Sequence, residues 1–146
     1  MARIVAIDYG LKRTGLAVTD PLQIIATALD TVPTAGLFDY LKKYTGKEAV
    51  ERFVVGYPRN MDNSPSEAAT YVEAFLKQLR QSFPNIEISI EDERFTSKIA
   101  FQTMIDAGVK KMNRRNKATV DKISAVIILQ SFMQRNNNSQ FITHNS

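Results

Sequence analysis

Three groups of acids stand where a folded chain could bring them together: Asp8, the pair Asp92 and Glu93, and Asp121. Asp8 closes a short apolar run, Arg3–Asp8, and Gly10 follows it in Asp-Tyr-Gly. Asp92 and Glu93 end the last β-like run, and Asp121 lies in the first turn of a helical stretch with Ser124, Ala125 and Ile128 on its face. Strand ends facing one sheet edge, with a helix N-terminus packed there, can gather such groups closely. Clustered carboxylates repel one another unless a cation lies between them, and Mg²⁺ or Mn²⁺ takes all-oxygen ligands. Two such ions about 4 Å apart activate a water and stabilise the leaving oxygen in phosphodiester hydrolysis. Each acid also has a structural explanation. Asp8 can cap the turn after its strand, Glu93 can pair with Arg94 or Lys98, and Asp121 can complement a helix dipole with Thr119 as N-cap. Strand alternation puts Asp92 and Glu93 on opposite faces and leaves open which would face a metal.

Composition narrows the chemistry further. The 146 residues include no Cys, and the one His, His144, sits in a polar tail. A disulfide scaffold, a thiolate zinc site and a cysteine nucleophile are excluded, and His-based catalysis is disfavoured. The length suits one domain, expected over residues 1–135, with 136–146 as a polar, disordered tail. With 44% hydrophobic and 23% charged residues the chain reads as globular. No apolar run approaches the roughly 20 residues of a membrane span, and residues 1–8 do not read as a signal peptide.

The net charge of +4 is modest, but its distribution is uneven. Lys110, Lys111, Arg114, Arg115 and Lys117 crowd one short segment, KKMNRRNK. Such a patch suits a polyanion, because each neutralised phosphate releases counterions; a solvated basic loop is the plain alternative. Lys12 and Arg13, after the first strand, can reach a phosphate or simply be exposed turn bases.

The elements that must position these groups follow from periodicity. Arg3–Asp8, Thr14–Thr19 and Ile24–Val32 are short β-like runs split by turns, an antiparallel meander. Gly36–Tyr44 reads as a short helix, and Arg52–Gly56 as a buried strand stopped at Gly56-Tyr57-Pro58. Ser64-Pro65-Ser66-Glu67 reads as a capping box opening a helix whose stripe is Ala68, Val72, Phe75, Leu76, Leu79 and Phe83. Residues 86–91 alternate Ile with polar residues, a strand; Thr96 or Ser97 can cap a further helix closed by Gly108. The last helix should run from about Thr119 to Arg135, with Ala125–Leu129 packed on two faces. The order β-β-β-α-β-α-β-α-α predicts an α/β fold, a mixed five-stranded sheet with helices on both faces.

Four blocks carry a resemblance beyond this. They are Ala6-Ile7-Asp8-Tyr9-Gly10-Leu11-Lys12-Arg13-Thr14-Gly15-Leu16-Ala17; Val54-Val55-Gly56-Tyr57-Pro58 with Met61-Asp62-Asn63-Ser64; Asp92-Glu93-Arg94-Phe95-Thr96-Ser97; and Lys117 through Asp121 to Ala125. In this order and spacing the chain resembles the YqgF/RuvX family of Holliday-junction-resolvase-like, pre-16S rRNA nucleases. The resemblance implies an RNase H-like fold and a bacterial, cytoplasmic, metal-dependent endonuclease that matures the 5′ end of 16S rRNA. Carried over by motif, Asp8, Glu93 and Asp121 are its catalytic, metal-binding carboxylates, with Mg²⁺ or Mn²⁺ as cofactor. Arg94 is the residue to orient Glu93 or grip a phosphate. The expected partner is structured RNA, or branched DNA in the resolvase alternative, with a homodimer suited to branched substrates. Asn63 departs from the family's usual Gly, a change the turn tolerates because Asn accepts left-handed backbone. Phe95 and Ser97 stand for the frequent Leu and Thr. Two competing readings remain: a non-catalytic nucleic-acid-binding module, and nucleotide phosphotransfer, which would need a second lobe.

Overall fold

In the computed structural model, residues 2–58, 66–92 and 123–136 are described. Five strands form one sheet: β1 (Arg3–Asp8), β2 (Arg13–Thr19), β3 (Ala26–Pro33), β4 (Val50–Tyr57) and β5 (Glu87–Asp92). Their order across the sheet is β3-β2-β1-β4-β5. β1, β2 and β3 are antiparallel neighbours, whereas β4 is parallel to both β1 and β5. The expected meander and the parallel βαβ unit are therefore both present. A 3₁₀ turn, Thr34–Gly36, leads into α1 (Leu37–Lys47); α2 (Glu67–Ser82) joins β4 to β5, and α3 spans residues 123–136. No helix among the described residues is long and apolar enough to cross a membrane.

Helices cover both faces. Val5, Ile7, Phe53 and Val55 of the sheet meet Leu37 and Leu41 of α1 and Val72, Phe75, Leu76 and Leu79 of α2. Ile4, Ala6, Ala17 and Val54, one step out of phase, meet Ala125, Ile128, Leu129 and Phe132 of α3. Period-two alternation on β1 and β4 makes the two sets. Both faces of the central strands are apolar, as for parallel strands buried between layers.

Several boundaries differ from the expected ones for local reasons. β3 starts at Ala26, not Ile24, because the Asp20 carboxylate accepts the N–H groups of Ile24 and Ile25 at 2.7 and 2.8 Å. With Gln23 at φ 59°, that turn withdraws both isoleucines from the ladder and leaves them 66% and 62% exposed. α1 runs on to Lys47, past Tyr44, with Gly46 inside its last turn. β4 is longer at both ends than Arg52–Gly56. α2 begins at Glu67 with Ser66 as N-cap, so Glu67 is the first helical residue and not the third position of a box begun at Ser64. Its Ser66 hydroxyl bonds Pro58 O at 3.2 Å instead of capping the helix. The buried stripe takes Ala69 rather than Ala68, which shifts the apolar face by one residue at the first turn. On α3, Ala125, Ile127, Ile128 and Leu129 are all buried, as expected of a segment apolar all round. The helix expected from Thr96 or Ser97 to Gly108 lies outside the described residues.

Candidate active site at the C-terminal edge of the parallel strands

β1, β4 and β5 all end at one edge of the sheet, where parallel strands place their C-termini. Asp8 is the last residue of β1. Since Ile4 and Ala6 pack against α3, alternation gives Asp8 the α3 face as well. Its partner on β2 is Gly15. On the other side Ile7 lies beside Val55, which makes Gly56 the next residue along β4. A carboxylate on the central strand thus has glycine on both neighbouring strands. The neighbouring strands therefore place no side chain of their own beside Asp8 in this row.

The turn after Asp8 is built with little freedom. A Cβ on Gly10 would collide with the carbonyl oxygen of Arg13, so only glycine fits there. Thr34 ties the turn down. Its Oγ1 donates to Gly10 O at 2.5 Å, and its N–H donates to Lys12 O at 3.0 Å. The Thr14 hydroxyl lies 2.9 Å from Thr34 Oγ1, and because the single Thr34 proton goes to Gly10, Thr14 is the donor in that pair. Lys12 is exposed and Arg13 half-buried at this fixed turn.

Two strands away from Asp8, the register pairs Gly56 with Glu91. Gly15, Asp8, Gly56 and Glu91 therefore form one row on the α3 face, with Asp8 and Glu91 roughly 10 Å apart at the backbone. Glu91 is 5% exposed, and Arg135 of α3 reaches its Oε2 at 3.3 Å. That oxygen has no well-formed hydrogen bond among the described residues. Burial pushes the Glu91 carboxyl above its ordinary value; Arg135 opposes the shift and Asp92 adds to it. Arg52 pairs with Glu87, and both Arg52 and Arg135 lie over the Phe132 ring, 5.6 and 5.8 Å from its centroid. A charged cluster thus joins β4 and β5 to the C-terminal half of α3. Glu91 carried no functional signal in the sequence, where it looked like the polar half of an Ile/polar alternation. Only the seating of α3 on that side of β5 turns it inward.

Of the expected site residues, Asp8, Lys12 and Arg13 stand together at this edge. Asp92 ends β5, one residue beyond Glu91 and so on the opposite face. Glu93, Asp121, Arg94, Lys110, Lys111, Arg114, Arg115 and Lys117 lie outside the described residues. Among the described residues, no group of three or more His, Cys, Asp or Glu could hold a metal ion. The Asp8 carboxylate has the oxygen chemistry that Mg²⁺ or Mn²⁺ takes.

Comparison with known proteins adds an independent line. A protein of Porphyromonas gingivalis named as a pre-16S rRNA nuclease is 58% identical over 133 residues, covering 91% of this chain and 96% of that protein. One of Phocaeicola vulgatus with the same name is 56% identical, covering 92% and 96%. Among solved structures, T. thermophilus RuvC in complex with a Holliday junction substrate superposes with a TM-score of 0.54 at 14% identity, covering 91% of this chain and 96% of that one. That likeness supports the RNase H-like fold expected from the sequence. A model of the family described as RuvX, Holliday junction resolvase, matches residues 2–135. By that match and by the identity to its relatives, the chain belongs to the RuvX family.

Proposed function

We propose that this chain is a divalent-metal-dependent endonuclease that hydrolyses phosphodiester bonds at the 5′ end of pre-16S rRNA. Membership of a nuclease family supports the reaction class, and the names of the relatives support the substrate. The observation that carries the reading is Asp8 at the end of the central strand, flanked by Gly15 and the Gly56 position, beside a turn that presents Lys12.

In this reading Asp8, Glu93 and Asp121 supply carboxylate oxygens to Mg²⁺ or Mn²⁺. The choice of Glu93 over Asp92 rests on the family motif, and Asp92 itself takes the face of β5 opposite Glu91. The bound metal would supply a water of lowered pKa and polarise the scissile phosphate. Lys12 and Arg13 hold phosphates next to Asp8, Arg94 orients Glu93, and Lys110, Lys111, Arg114, Arg115 and Lys117 grip the backbone farther along. Residues 1–135 make up the nuclease domain, residues 136–146 extend beyond it, and a ribosomal RNA precursor places the protein in the cytoplasm.

The test is cleavage of a pre-16S rRNA fragment by purified protein with Mg²⁺ or Mn²⁺. Wild type should release the matured 5′ end and Asp8→Asn should not; undiminished cleavage by the variant would contradict the site. A second reading, resolution of branched DNA, is favoured by the family description. It requires paired nicks across a four-way junction and a homodimer by light scattering.

A further inference from the structure

We propose that a groove on the α2 side of this same sheet edge binds one unpaired nucleobase next to the phosphate addressed by Asp8. The proposal rests on the nuclease reading for that phosphate and extends it to substrate recognition. The groove encloses about 330 Å³ and is lined by Tyr9, Leu11, Pro58, Glu67, Tyr71 and Val72, among others. It begins one residue from Asp8. Tyr9 takes the opposite face of the edge and stacks on Phe75, with ring centroids 4.4 Å apart and planes 16° from parallel. A polynucleotide crossing the edge can therefore leave a phosphate on the Asp8 side and swing the adjoining base over to the Tyr9 side.

The lining suits a base better than it suits water. Leu11 is 62% and Tyr71 50% exposed, two large side chains held open at the rim of a concavity. Tyr71 and Glu67 are four residues apart on α2 and so share one helical face. An aromatic face and aliphatic walls bind the flat surface of any base by stacking. The Glu67 carboxylate can accept from an exocyclic amine at the base edge. Exposed Lys12, two residues beyond Gly10 of the groove, supplies the charge that a flanking phosphate needs.

The experiment uses RNA hairpins carrying the cleavage sequence in an unpaired flank, with an abasic residue placed at each flanking position in turn. Affinity is measured in Ca²⁺ and cleavage in Mg²⁺, for wild type, Tyr71→Ala and Tyr71→Phe. Tyr71 is half exposed on a helix surface, so both variants should fold. Removing the one base that fills the groove should weaken wild-type binding roughly tenfold, and Tyr71→Ala should weaken binding of intact RNA by a similar factor. The two losses should not add, and Tyr71→Phe should match wild type. Wild-type affinity in Tyr71→Ala, additive losses, or no measurable RNA binding would overturn the base site and leave the groove to a protein partner. Non-additive binding losses without any cleavage in Mg²⁺ or Mn²⁺ would instead defeat the nuclease reading while sustaining the groove.

Discussion

The two faces of the sheet are built on different terms. On the α1/α2 face, large side chains such as Phe53, Phe75, Leu76 and Leu79 interlock. On the α3 face the sheet contributes smaller residues, Ala6, Ala17 and Val54, and the glycines beside Asp8. The buried carboxylate of Glu91 and its partner Arg135 also belong to that side. The first face is filled by interlocking large side chains, whereas the second, packed by α3 over its centre, carries glycines beside Asp8 at its C-terminal edge. Stability should therefore depend mainly on the first face and activity on the second.

Substitutions on each side test that division. Asp8→Asn should lower cleavage by about 10³-fold or more, because a metal-ligating carboxylate supplies several kcal/mol to the transition state. Its melting temperature should stay close to wild type, and a variant that unfolds instead would show Asp8 to be structural. Leu79→Ala should do the reverse. It should cost about 2–5 kcal/mol in denaturant unfolding, since Leu79 is fully buried in the α2 face, while the protein that remains folded cleaves at a near-normal rate. Gly10→Ala sits between the faces. Its added methyl meets a backbone carbonyl that cannot yield easily, so a loss of about 1–3 kcal/mol is expected, together with slower cleavage as the Lys12 turn shifts.

Glu91→Gln should have the smallest effect and the clearest pH signature. A carboxyl whose folded pKa lies above its unfolded value keeps a proton in the folded state that the unfolded chain has released. Stability then falls as pH rises from the ordinary value of 4.5 through the raised one. The wild type should therefore compare better with the variant at about pH 4 than at about pH 7. Thermal melts of both proteins across that range check it, and a constant difference would remove the linkage from Glu91.

Much of this division is legible in the sequence. The Val72–Leu79 stripe and the alternating strands give the α2 face directly, because periodicity depends only on local geometry. Asp8, Gly10 and Gly15 stand out as one motif. What periodicity cannot give is register. That Gly15 lies opposite Asp8, and that Glu91 turns inward beneath Arg135, depend on pairings between distant segments. Local chemistry overrode pattern elsewhere: the Asp20 turn took Ile24 and Ile25 from their strand, and Ser66 holds the N-cap position of α2 with its hydroxyl turned to Pro58 O.

The most direct measurement of the central claim is Mn²⁺ binding to the intact protein, followed by calorimetry and electron paramagnetic resonance. Wild type should bind the ion, and Asp8→Asn, Glu93→Gln and Asp121→Asn should each weaken that binding sharply, since all three side chains are assigned to one site. Unchanged binding in any one of the three would contradict a shared metal centre.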